Sequence, residues 1–247
     1  MTPRRDAAFT RRAFLAGAGV VALAALTACT PDTPASPQAR PLTAAEAELL
    51  ASFRLKNYLA EHVNYTLTGP ESLPIQATVR LDTQAHTGYG LVTMADTPTS
   101  IVVWGEKSVF TCTDAARGED LSTWAGRDLG EGDIDTFLRM MLLLSSDRPE
   151  NAQLLQQSQY LWVGTETVGG VTCDVFTGPG EAGGTGSPDA AASPVRYYLD
   201  ADGQLQYFSA RVSADDASPW TATRTDTAPD VQIPAAVWDA MAQAAAA

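Results

Sequence analysis

Histidine and lysine are nearly missing from this chain: its 247 residues hold only His62, His86, Lys56 and Lys107 of these two types. An enzyme built on general acid–base work or a metal needs a constellation, and neither histidine has a partner nearby in sequence. A solitary histidine in a strand-like stretch is more often structural than catalytic. The nucleophile elbow Gly-x-Ser-x-Gly, the zinc helix His-Glu-x-x-His and a phosphate-cradling glycine loop are all absent. Of the three cysteines, none stands in a Cys-x-x-Cys pair, so thiol catalysis and structural zinc are poor readings. No cofactor, metal or catalytic residue is therefore expected. Basic charge is scarce as well: 16 Lys and Arg stand against 29 Asp and Glu, a net charge of −13. Such a chain repels nucleic acid and anionic headgroups, which argues against DNA or RNA as a partner. The near-absence of lysine beside abundant alanine points to a GC-rich genome, with actinobacteria a natural source.

What is present is concentrated first at the N-terminus. Arg4, Arg5, Arg11 and Arg12 precede an uncharged apolar stretch, Ala13–Ala28, of 16 residues. A bilayer-spanning helix needs about 20, so this reads as a removable export signal. Thr10-Arg-Arg-Ala-Phe-Leu15 resembles the twin-arginine (Tat) signal, with Ala16 where a lysine is usual, so the Sec route stays open. Leu26-Thr-Ala-Cys29 looks like a bacterial lipobox, in which Cys29 receives a diacylglyceryl group before cleavage. The expected organisation is a signal peptide over 1–28, a lipidated cysteine and tether over 29–42, and one domain over 43–247. Two or more acyl chains, palmitate among them, give stable anchoring at about 0.8 kcal/mol per buried methylene. The expected location is the outer face of the cytoplasmic membrane. Removing residues 1–28 leaves 12 basic and 28 acidic residues, a net charge near −16.

Downstream, residues 30–40 (TPDTPASPQAR) read as a flexible tether. Thr43-Ala-Ala-Glu46 is a capping box, predicting a helix over about 44–56. Five short β-branched and aromatic runs between Val63 and Thr113, broken at Gly69-Pro70, Asp82–Gln84, Asp96–Pro98 and Gly105, predict an antiparallel meander. A helix capped by Asp133 should run to Leu144, its last five residues apolar on every side and hence buried. A second helix is expected from the Ser146–Glu150 region to Gln157, with Pro149 in its first turn. Strands resume at 160–166 and 171–177 around Gly169-Gly170. After the glycine-rich 178–194 stretch come strands at 195–200 and 204–212 around Asp202-Gly203, a strand at 220–226 and a helix at 234–246. Asp200-Ala-Asp-Gly203 superficially resembles the start of a calcium loop, but lacks the other ligands, so a turn explains it better. Glu131, Asp133 and Asp135 complement a helix start more simply than they form an acid–base pair. Cys112 and Cys173 both alternate onto apolar faces. A disulfide between them would stabilise by about 4 kcal/mol in the chain-entropy model; two separate buried thiols are the alternative.

The order of a leading helix, a meander, a helical insertion and further hairpins resembles the LolA/LolB-like lipoprotein fold, including its actinobacterial LprG/LppX type. The matching pieces are the strands over 63–112, Trp162-Val-Gly-Thr-Glu-Thr-Val-Gly-Gly-Val171 and Val195-Arg-Tyr-Tyr-Leu-Asp-Ala-Asp-Gly-Gln-Leu205. The resemblance implies an α+β fold, a curved antiparallel half-barrel with helices packed on its concave face, and a non-enzymatic carrier of a lipid or other hydrophobic ligand. If the 134–144 helix plugs the half-barrel incompletely, Phe137, Met140, Met141 and Leu144 line an apolar cavity, methionine suiting adaptable surfaces. Plain core packing is the alternative for these four. The rival function is a protein–protein or regulatory module at the cell surface; RseB-like regulators resemble the same fold class. That rival predicts a filled core and an exposed apolar patch.

Overall fold

The structure, a computed structural model, describes residues 39–178, 195–213 and 217–246. The expected export signal, Cys29, most of the tether and the 179–194 stretch lie outside the described residues. Among those described, no helix is long and apolar enough to cross a membrane.

The chain opens with β1 (Arg40–Pro41) and α1 (Ala44–Leu59). The capping box at α1 forms as expected: Thr43 Oγ1 accepts the Glu46 amide at 3.3 Å, and Glu46 Oε2 accepts the Thr43 amide at 2.8 Å. The meander follows as β2 (His62–Thr68), β3 (Ile75–Asp82), β4 (Thr87–Met94), β5 (Ser100–Trp104) and β6 (Ser108–Cys112). Two short 3-10 turns over 115–123 lead into β7 (Trp124–Asp128), a strand the sequence pattern does not announce because every residue in it is at least partly exposed. Then come α2 (Asp133–Leu142), α3 (Ala152–Gln157), β8 (Leu161–Val168) and β9 (Val171–Thr177). The remaining elements are β10 (Val195–Leu199), β11 (Leu205–Ala210), β12 (Trp220–Thr225) and α4 (Ala235–Ala246).

All strand pairs are antiparallel, in the linear order β1-β8-β9-β10-β11-β12-β2-β3-β4-β5-β6-β7, so the curved sheet is open at both ends. This is the expected α+β half-barrel. Its hairpins turn where the sequence places special residues: Gly169, Gly170 and Gly203 all take positive φ, a conformation glycine adopts without strain. Gly88 serves a different need. A Cβ there would lie 2.3 Å from the Trp104 ring, so only glycine lets this indole lie across β4.

Period-two alternation divides the sheet into two faces. The concave face carries Tyr65, Leu67, Val79, Leu81, Trp104, Val109, Phe176, Tyr197, Leu199, Leu205, Phe208 and Trp220, and α1, α2 and α3 pack on it to form one continuous core. α4 lies on the other face: its Val237 and Met241 pack with Val103, beside Tyr89, Phe110 and Trp124. Val103 and Trp104 are adjacent in β5, so they point to opposite sides.

The middle of the chain departs from expectation in two places. The N-cap of α2 is Gly132, with no side-chain cap; Asp133 is already helical. The stretch before α3 is not helical, and α3 starts only after Asn151, whose carboxamide oxygen accepts the Gln153 and Leu154 amides. The reason is tertiary. The amides of Ser146 and Glu150 donate to the α1 carbonyls of Arg54 and Ala51, which ties this stretch to α1.

Candidate functional site

α2 is the element that the sequence nominates as the ligand cover. It is pinned at three levels. At its N-terminal end, Arg127 makes a two-pronged pair with the Asp135 carboxylate at 2.6 and 2.8 Å, and the Gly130 amide donates to the same group at 2.7 Å. These donors hold the Asp135 pKa below the usual carboxylate range, the Arg127 bond contributing most and burial opposing it. Midway, Trp104 Nε1 donates to the Leu138 carbonyl at 3.2 Å. Beyond the C-terminus, buried Asn57 donates from Nδ2 to the Leu144 carbonyl at 2.8 Å, and Ser145 Oγ donates to the Thr83 carbonyl at 3.1 Å.

Of the four residues nominated there, Phe137, Met141 and Leu144 are buried in the main core, and Met140 is half-buried at its edge. Phe137 stacks on Trp220 at 5.0 Å and on Phe208 at 6.2 Å. The helix end is not apolar-buried on every side as expected: Leu143 is 63% exposed, because α2 covers the sheet with one face only.

Inside this apolar interior, some polar atoms have no partner. Tyr65 Oη, Trp220 Nε1 and Asn57 Oδ1 are buried without a hydrogen bond. Burial pushes the Tyr65 hydroxyl pKa up to about 12, opposed by Arg224 and by the adjacent Asn57 side chain, so Tyr65 and Asn57 are neighbours just outside hydrogen-bond range. Buried donors and acceptors in native proteins are overwhelmingly paired, and each unpaired one costs about 1–3 kcal/mol. Two of these groups sit on β2 and β12, which are neighbours in the sheet, and Trp220 is the ring against which Phe137 of α2 stacks.

A second concavity, which the sequence does not announce, opens on the outer face between α4 and the sheet. This groove has a volume of about 660 Å³ and is lined by residues of β2, β3, β4, the β5–β6 turn and α4. It gathers both histidines of the chain, His62 at the start of β2 and His86 in the β3–β4 turn with φ +50°. Each looked solitary in sequence; strand pairing brings them together, since His62 faces Asp82 across β2–β3 and Asp82 faces Thr87 across β3–β4. Two acidic groups of the sequence are consumed locally. Asp200 accepts the amides of Asp202 and Gln204 and the Gln206 side chain, which makes it a turn residue. Asp135 is paired with Arg127 as described above. Among the described residues, no cluster of three or more His, Cys, Asp or Glu could hold a metal ion.

The expected bridge between Cys112 and Cys173 is not formed: both are free, buried thiols. Cys112 ends β6 and Cys173 lies in β9, with seven strands between them in the sheet. Cys112 lies under the 3-10 turns, within 3.1 Å of Thr123 Oγ1 and of the Asp114 carbonyl. Cys173 packs instead with Val175 and Tyr198, and burial raises its pKa to about 11. Each thiol alternates onto an apolar patch, as read from sequence, but the two patches lie far apart on the outer face.

No protein-family model and no curated protein sequence matches the chain. Solved structures similar to it include the following two. The crystal structure of the Mycobacterium tuberculosis lipoprotein LppX matches at 16% identity and a TM-score of 0.40, covering 75% of this chain and 98% of that one. A DUF1329 family protein from Desulfovibrio piger matches at 13% identity and a TM-score of 0.30, covering 79% and 96%. The likeness is one of fold alone.

Proposed function

We propose that this chain is a lipid-anchored, extracytoplasmic, non-enzymatic protein that binds a hydrophobic ligand between α2 and the concave face of the half-barrel. The signal over residues 1–28 directs export, diacylglyceryl-Cys29 supplies the anchor, the tether to residue 42 gives reach, and residues 43–247 form the single binding domain. The observation that carries the reading is Trp220 Nε1, a buried donor without a hydrogen bond inside an apolar interior. An acyl lipid inserted beneath α2 would offer an ester oxygen to this donor and methylenes to Phe137, Met140, Met141 and Leu144. With α2 in place Phe137, Met141 and Leu144 are packed in the core, as the rival reading expects, so ligand entry here requires α2 to lift. Its three polar attachments are hydrogen bonds and an ion pair rather than a covalent clamp.

The test is native mass spectrometry of the chain carrying Cys29→Ser, with solvent extraction of whatever co-purifies. A lipid near one per chain is expected, with occupancy falling about tenfold in Trp220→Phe. That variant keeps a ring for the stack but removes the indole N–H together with part of a buried ring, so its melting temperature should fall by a few degrees while the chain stays folded. A clean apo mass, with no uptake of added diacylglycerol or phospholipid, overturns the reading. It would favour the rival, a protein–protein or regulatory module. A specific observation supports that rival: Leu143 is 63% and Leu154 64% exposed on the helical side.

A further inference from the structure

The groove beneath α4 is a separate site on the opposite face of the sheet, and the reading above does not depend on it. Its wall is apolar. Trp238, Met241, Ala242 and Ala245 line it from α4, and Tyr89 meets Trp238 edge-on at 5.9 Å and 87°. The small side chains of Ala242 and Ala245 keep that flank of the helix low. Its polar side is made of half-buried Arg80, Asp82, His86 and Thr87, with His62, Glu106 and Lys107 exposed at the lip. A concavity of this size, apolar on one side with a few convergent polar groups on the other, is the usual form of a small-molecule site.

The charges select the ligand. Arg80 and Lys107 face Asp82 and Glu106, so the formal charges balance. Two of the four are already engaged by the protein. Asp82 Oδ1 accepts the turn amides of Gln84 and Ala85 at 3.1 and 2.8 Å, and Lys107 Nζ donates to the Ala245 carbonyl at 2.9 Å. Glu106 is exposed at the lip. Arg80 is half-buried on the polar side and spends only Nε, on Asn64 Oδ1 at 3.0 Å. Its two terminal amino groups have no partner among the described residues, although they form the fork that matches a carboxylate or phosphate. The two imidazoles share the groove lining on the turn side of Arg80, His62 opposite Asp82 and His86 in the β3–β4 turn.

We infer that this groove binds an amphiphile with an anionic head and an apolar tail, the head held by the free amino groups of Arg80 and the tail lying along Trp238, Met241, Ala242 and Ala245. The head chemistry is common to a free fatty acid and to an alkyl phosphate.

The test uses the full chain carrying Cys29→Ser, so that no attached acyl group competes, and titrates it calorimetrically with dodecanoate, dodecyl phosphate and dodecyltrimethylammonium. One anionic amphiphile per chain is expected to bind. Arg80→Gln should weaken it at least tenfold, Arg80→Lys should restore part of the loss, and Ala242→Trp, which fills the groove, should abolish it. A preference between dodecanoate and dodecyl phosphate tells the two sources apart. Trp220→Phe should leave this binding unchanged, which separates failure here from failure of the concave-face reading. Equal or tighter binding of the ammonium amphiphile, or anion binding indifferent to both Arg80→Gln and Ala242→Trp, overturns the inference. So does anion binding lost in Trp220→Phe alone.

Discussion

At the scale of single residues, Glu46 does the most with the fewest atoms. Its carboxylate closes the capping box of α1 and pairs with Arg40 through both oxygens, at 2.7 and 2.6 Å. The Arg40 guanidinium in turn lies 4.1 Å over the Trp162 ring, and Trp162 donates to Asp174 at 2.9 Å. One acid thus joins the end of the tether, the first helix and the edge of the sheet. The Arg40 hydrogen bond, reinforced by Thr43, lowers the Glu46 pKa from 4.5 to about 2, against the opposing effect of burial. A carboxylate whose folded pKa is depressed adds stability that is full above its unfolded pKa and is lost as pH falls through the folded value. Glu46→Gln should therefore cost about 1 kcal/mol at neutral pH, the ion pair being partly exposed on the Arg40 side. It should also flatten the decline in stability between about pH 5 and pH 2. Urea midpoints measured across that range check both effects; an unchanged pH slope would show that the pair is not formed in solution.

At the scale of elements, the four helices of the described residues divide between two jobs. α1, α2 and α3 complete the concave core, whereas α4 covers part of the outer face and contributes nothing to the main cluster. This division predicts an asymmetry. Ending the chain before Ala235 removes the burial of Val237 and Met241, about 1.5–3 kcal/mol each, and uncovers Val103. The shortened chain should stay folded, with its β signal in far-UV circular dichroism intact, while its urea midpoint falls by the equivalent of about 3–6 kcal/mol. It should also lose the outer groove entirely. Global unfolding on this truncation would mean that the α4 layer and the concave core are one cooperative unit. α2 sits at the other extreme: its buried stripe stacks on Trp220 and Phe208, and each end is hydrogen-bonded to a different part of the sheet or to α1.

At the scale of the whole molecule, an open sheet must satisfy its core without closing, and the linear strand order keeps distant segments apart. Cys112 and Cys173 show the consequence. Both belong to one sheet and both face its outer side, yet seven strands separate them. Alkylation with iodoacetamide under native, non-reducing conditions should leave both thiols largely unmodified, because they are buried and the Cys173 pKa stands near 11. Modification of both after denaturation, with no reductant added, should follow, and mass spectrometry reads the count. A protein that takes up label only after reduction would establish the bridge instead.

Much of this architecture was legible from local chemistry. The capping box placed the start of α1, alternation placed the strands of the meander, and Gly169-Gly170 and Asp202-Gly203 placed two hairpins, since each signal acts over a few residues. β7 was not legible because an edge strand with no buried side chain carries no alternation. The helix expected from the Ser146–Glu150 region failed because its amides are spent on α1 carbonyls, a competition that local propensity cannot register. The concave-face candidates were readable as apolar, but not as packed or unpacked.

The sequence by itself determined the order of most helices and antiparallel strands and the expectation of an exported, lipid-anchored chain, because those rest on periodicity, capping, turns and a short linear signal. The half-barrel came from the resemblance to a known fold. Only the tertiary structure decided that the cysteines stay apart, that α4 takes the outer face, and that His62, His86 and Arg80 share one groove. Those outcomes depend on which strands become neighbours, and that is settled by the burial of the sheet as a whole.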